Sequence, residues 1–175
     1  MASTLKVDTI QTNDGTGTIA LQNQLSGMTT TSLPAGAILQ TVNFVSTNNQ
    51  VTSTSSTFAA TGEEITITPS STSSKILVIA VWCAHINESS DSQAEGEFKL
   101  VGTASGDLML HRYQNYDYGG SGLGLTTTQN MTVLDSPSST SAQTYAIHYR
   151  LIDGASIKVG KGNMKTNMIA IEIKG

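Results

Sequence analysis

Three histidines, one cysteine and a few neighbouring carboxylates are the groups in this sequence that could do chemistry. His85, His111 and His148 stand alone. No pair has metal-ligand spacing, and neither His-Glu-x-x-His nor Cys-x-x-Cys occurs. No metal and no cofactor is expected. The single cysteine, Cys83, has no partner for an internal disulfide and lies in the most apolar run, where a thiol is buried and inert. Gly120-Ser121-Gly122-Leu123-Gly124 has the outline of a nucleophile elbow, but a Tyr/Asp segment precedes it and no helical pattern follows. Glu63 and Glu64 are adjacent, and Glu95 and Glu97 share one face of a strand. A carboxylate pair can hydrolyse glycosides if its surroundings raise one pKa. Nothing apolar beside these does so, and a solvated edge is expected for them. The expectation is a protein without catalytic residues.

The stretch with recognition chemistry is Arg112-Tyr113-Gln114-Asn115-Tyr116-Asp117-Tyr118. Tyrosine supplies rigid amphipathic area, while Asn and Asp supply adaptable hydrogen bonds. Sugars bind to aromatic faces flanked by planar amides and carboxylates. Tyr113, Asn115, Tyr116, Asp117 and Tyr118 are therefore candidates for a glycan site. The competing expectation is that these tyrosines pack against a neighbouring subunit.

These groups sit in a chain whose composition favours strands. Charged residues are only 13% and hydrophobic residues 38%, with Ser and Thr filling the gap. Thr suits strands and Ser suits turns. The net charge of −4 and the lack of any basic stripe give no footprint for nucleic acid or a membrane surface. No apolar run is long enough for a transmembrane helix. The first residues lack the apolar core of a signal peptide, which predicts synthesis in a cytosol.

From Pro34 onward, alternating apolar positions recur between turn signals, giving about eight to ten expected strands. These include a weak one over 54–60. Such a series predicts an all-β sandwich, with a jelly roll of two packed sheets as the leading architecture. The organising strand is Ser74–Ile86. Ile76, Val78, Ala80, Trp82, Ala84 and Ile86 form one face, and Leu77, Ile79, Val81, Cys83 and His85 the other. Both faces are largely apolar, so each needs a cover. One is the sandwich interior and the other a subunit contact, and alternation leaves the choice open. The expected trimer-interface residues are Val81, Cys83, His85, His148, Met168 and Ala170. This arrangement resembles the trimeric jelly rolls of the tumour-necrosis-factor and complement C1q type.

Residues 1–34 differ from the 35–175 knob. Leu5, Val7 and Ile10, then Ile19 and Leu21, flank the turn signal Asn13-Asp14-Gly15. So few apolar groups cannot make a core alone, and the segment is expected to dock on other copies or on a host structure.

Ser3-Thr4-Leu5-Lys6-Val7-Asp8-Thr9-Ile10-Gln11 and the Asp14-Gly15-Thr16-Gly17 turn resemble the opening of tail-fibre and other virion structural proteins of marine bacteriophages, including cyanophages. Pro34-Ala35-Gly36-Ala37-Ile38-Leu39-Gln40, Thr68–Val78 and Val133-Leu134-Asp135-Ser136-Pro137 are similar to phrases in their C-terminal domains. The resemblance implies a non-enzymatic virion component made in the host cytoplasm. It implies a short fibre, spike or decoration docked by Leu5, Val7, Ile10, Ile19 and Leu21 on other virion proteins, with a receptor-binding tip as the alternative. A polysaccharide depolymerase is the third possibility.

Overall fold

The computed structural model describes residues 33–47, 50–87, 93–116, 124–162 and 164–175, with only the backbone of Tyr116. The chain divides into two compact units, 1–33 and 34–175. All of the described elements belong to the second.

Every regular element among the described residues is a strand: β1 (Ile38–Val45), β2 (Val51–Ser53), β3 (Ala59–Ile67), β4 (Lys75–Asn87), β5 (Gln93–Gly102), β6 (Gly106–Tyr116), β7 (Gly124–Asp135), β8 (Gln143–Asp153), β9 (Ser156–Val159) and β10 (Asn167–Ile173). They form two antiparallel sheets. In sheet A, β7 runs along one side of β4, and β10 and β9 share its other side. β1 then pairs with β10, and β2 with β9. Sheet B has the order β3-β8-β5-β6. The pairs β1·β10, β3·β8, β4·β7 and β5·β6 are nested, first with last and inward. A long hairpin rolled up in this way is a jelly roll, as the strand series predicts.

The core lies between the sheets. Ile76, Val78, Ala80, Trp82, Ala84 and Ile86 are all fully buried there. They face Phe98 and Leu100 of β5 and Tyr145, Ile147 and Tyr149 of β8. Trp82 and Phe98 meet at 5.4 Å with tilted rings, and Phe98 stacks on Tyr149 at 6.5 Å. Such contacts add to the gain from burying large aromatic area. Polar groups close the ends of the sandwich. Tyr145 donates to Asp135 Oδ2 at 2.8 Å, and Ser105 donates to Oδ1 at 2.7 Å, tying β8 to β7. Burial, with the Asp135 carboxylate beside it, pushes the Tyr145 phenol far up.

One local feature differs from the sequence reading. No strand spans 54–60. Ser53 and Ser55 hydroxyls instead accept the backbone N–H groups of Ser55 and Thr57, each at 3.0 Å. These bonds compete with a ladder, and the chain uses them to cross from sheet A to sheet B. The turn between β8 and β9 falls where the turn residues Asp153-Gly154-Ala155 lead one to expect it. Gly154 has φ of +105°, and an added Cβ would lie 2.7 Å from the Asn87 carbonyl oxygen. Conformation and space both require glycine there.

Candidate functional site

Two outer sheet faces remain once the core is filled, and their chemistry is opposite. On sheet A the ladder aligns Thr41, Ile171, Leu77 and Leu134 in one row. Asn43, Ile169, Ile79 and Thr132 form the next, and Val45, Asn167, Val81 and Asn130 the third. None of these side chains is charged. Leu134 is 53% exposed, Val45 49% and Val81 37%. Ile169, Ile171, Leu77 and Ile79 are half-buried.

Beyond Val81 the same face turns polar. His85 is buried, and its ring nitrogens bond Thr126 Oγ1 at 2.7 Å and Asn87 Oδ1 at 2.5 Å. Lys161 Nζ lies 3.2 and 3.1 Å from the two nitrogens, against the ring. Burial pushes the His85 pKa down, and the Lys161 and Lys158 charges add to that against the pull of Asn87. A neutral ring donates to Asn87 from Nε2 and accepts from Thr126 at Nδ1. Burial pushes the Cys83 thiol up, opposed by Lys161, so Cys83 lacks the thiolate that a nucleophile requires. Gly124 leaves room for the imidazole, since an added Cβ would lie 2.6 Å from its Cε1. Cys83 and His85 are thus covered by their own chain.

The expected interface set is therefore corrected in three ways. Met168 and Ala170 are fully buried in the sandwich, beside Ala80 and Val78 of β4. They cannot meet another subunit. The outward residues of β10 are Ile169, Ile171 and Ile173. His148 pairs with Lys99 and Ala60 in sheet B, a different sheet from Val81. Burial and the Lys99 charge push its pKa down. Of the six candidates, Val81 remains on the exposed apolar face.

The tyrosine-rich stretch is also corrected. Tyr113 points inward, 6.4 Å from Phe98, and its hydroxyl donates to the Leu125 carbonyl at 3.1 Å. Its ring is core and offers no face to a sugar. Asn115 is half-buried near the end of β6, opposite Ala94. Asp117, Tyr118 and the side chain of Tyr116 lie outside the described residues, as do Leu5, Val7, Ile10, Ile19 and Leu21.

The outer face of sheet B is a charge ladder. Glu97 lies between Arg150 on β8 and Arg112 on β6. Its Oε2 accepts from Arg150 Nε at 2.8 Å and lies 2.7 Å from Nη2. Arg112 Nε stands 2.6 Å from Glu95 Oε1 and 3.4 Å from Glu97 Oε1. Glu95 and Glu97 are both buried, contrary to the solvated edge expected of them. β5 is an inner strand of its sheet, and the arginines cover it from both sides. Next to this ladder Lys99 pairs with Asp107 at 2.8 Å. The Phe58 ring lies over both cations, 4.5 Å from Lys99 Nζ and 4.7 Å from the Arg150 guanidinium carbon. Phe58, Glu97, Lys99, Asp107, Leu110 and Arg150 line an open depression of about 290 Å³. Sequence reasoning passed over Phe58, because it stands in the crossing between sheets, outside any alternating pattern.

No family model and no curated protein sequence matches the chain. Among solved structures it is similar to the infectious bursal disease virus VP2 subviral particle, at 11% identity and a TM-score of 0.36 over 78% of this chain. It is similar to the same extent to the structure of the Gx strain of that virus, at 11% identity and a TM-score of 0.36 over 90% of this chain. The chain spans 37% and 42% of those chains. A likeness at this level bears on neither family nor activity.

Proposed function

We propose that this protein is a non-enzymatic structural component of a bacteriophage virion. It assembles as a homotrimer through the outer face of sheet A, and residues 1–34 dock it on other virion proteins. The observation that carries the proposal is the aliphatic face of Leu77, Ile79, Val81, Leu134, Ile169, Ile171 and Ile173, with Lys75 beside Ile173 at its edge. Monomers seldom leave such contiguous apolar area in water. A second copy is the occupant this surface suits. The three uncharged rows meet their own image without like-charge repulsion, with Lys75 left at the edge, and their rim of Thr41, Asn43, Thr132 and Asn130 can exchange hydrogen bonds around an axis. The resemblance of the N-terminal and Pro34–Gln40 phrases to those of phage fibre proteins supports the virion assignment.

Half-exposed aliphatic side chains gain about 1 kcal/mol each on burial. Seven of them are comparable with the association cost of about 4–15 kcal/mol, so assembly depends on concentration and on few residues. Light scattering at micromolar concentration is expected to give three copies. Val81→Lys or Ile171→Lys is expected to give a folded monomer with a sandwich of unchanged secondary structure. A monomeric parent protein would overturn the trimer, and a density map of the particle without this chain would overturn the virion assignment.

A further inference from the structure

We infer that the depression on the outer face of sheet B is a binding site for a neutral carbohydrate. It does not rest on the assembly proposal, since it lies on the other sheet and uses none of the same residues. Three observations select the ligand class. First, among the described residues every Lys and Arg of this face already has a carboxylate: Lys99 with Asp107 at 2.8 Å, Arg150 with Glu97 at 2.7 Å and Arg112 with Glu95 at 2.6 Å. An incoming anion or cation would compete with a partner in place. A neutral polyol would not. Second, these pairs leave hydrogen-bonding capacity. Arg150 engages Glu97 through Nε and Nη2, and a guanidinium has five N–H donors. Asp107 meets Lys99 through Oδ1, and its side chain is 68% exposed. Third, the polar groups are flanked by apolar walls, Phe58 on one side and Leu110, 56% exposed, on the other. A pyranose has this same dual character, with C–H faces that lie on apolar walls and hydroxyls that both donate and accept.

The site is built in advance. Glu97 is buried and held from both sides by arginines on neighbouring strands. The two cations beneath Phe58 fix its ring. The crossing segment that carries Phe58 is itself anchored to β8, where Leu151 N–H donates to the Ser55 carbonyl at 2.8 Å. Fixed groups lose little entropy when a ligand arrives. An open site of this size holds about one or two sugar rings, so affinity is weak per site and gains from multivalency.

The test presents the full-length protein to immobilised neutral, sialylated and sulfated oligosaccharides, with label-free detection, and titrates the bound glycans by calorimetry. Saturable binding to neutral glycans is expected, changing less than about twofold between low salt and roughly 0.5 M, because no ion pair forms with the ligand. Phe58→Ala is expected to weaken binding about tenfold or more by removing the apolar wall. Its melting temperature should stay near the parent's, since Phe58 lies outside the sandwich core. Leu110→Ser serves as a second variant on the opposite wall and should weaken binding in the same direction. The inference is overturned if no neutral glycan binds. Binding only to charged glycans with steep salt dependence also overturns it, as does neutral-glycan binding that both variants leave unchanged.

Discussion

Glu172 shows how a single residue can mislead a pattern. It shares a strand face with Met168 and Ala170, and a carboxylate suggests a face near solvent. The structure buries it completely. Oε1 accepts from Ser70 N and Ser70 Oγ at 2.7 Å and from Ser74 Oγ at 2.6 Å, and Oε2 accepts from Gln40 Nε2 at 2.6 Å. Burial alone would raise its pKa. The bonds from Ser74, Gln40 and Ser70 together outweigh burial and leave it below the ordinary 4.5. A carboxylate held lower in the folded than in the unfolded state stabilises the fold above its unfolded pKa. That contribution is lost as pH falls below 4.5 and through the folded value. Chemical denaturation against pH is expected to show this acid loss. Glu172→Gln should flatten it and cost about 1–3 kcal/mol at neutral pH, because an amide nitrogen then opposes a donor. A variant with parental stability and an unchanged acid limb would refute the role. None of the three partner residues is near Glu172 in sequence, so this carboxylate site was not legible there.

At the scale of the element, β4 was largely legible and β10 only half so. The strict alternation of Ile76 to Ile86 predicts a strand with two distinct faces, and β4 has them. Its inner face is wholly buried, while the outer grades from Leu77 and Ile79, half-buried, through exposed Val81 to covered Cys83 and His85. The structure therefore separates two substitutions that look equivalent in the sequence. Val78→Lys places a charge in the core and is expected to cost about 4 kcal/mol or more, leaving insoluble or unfolded protein. Val81→Lys, three residues later, is expected to keep the parental circular dichroism and lose only assembly. If both variants unfold alike, Val81 belongs to a core and the assignment of faces fails. In β10 the alternation is as clear, yet the larger apolar face, Ile169, Ile171 and Ile173, points outward. The smaller Met168 and Ala170 fit against the closely set Ala80 and Val78.

For the whole molecule, the nested strand pairing makes residues 34–175 a closed sandwich whose first and last strands pair. Such a unit should fold without its leader. The fragment 34–175 is expected to melt within a few degrees of the full chain, about what a change under 1 kcal/mol produces. In the proposed virion role it should fail to join particles. A fragment that does not fold would make 1–33 part of the domain, and one that joins particles would remove docking by Leu5, Val7, Ile10, Ile19 and Leu21.

By itself the sequence determined the class of fold and most of the strands, because a period of two in apolar residues and Ser/Gly/Asn turns between them are local signals. The sparse apolar content of residues 1–34 is likewise a local signal, from which a separate segment is expected. Parity has no sign, however. Alternation states that two faces differ without stating which is inside, and only the opposing sheet decided that for Met168, Ala170 and Tyr113. Sites assembled from distant segments were equally hidden. Phe58, Glu97, Asp107 and Arg150 come together because β8, β5 and β6 are neighbours in sheet B and the crossing from β2 passes over them. That neighbourhood is a property of the rolled topology, which no short stretch of the chain encodes.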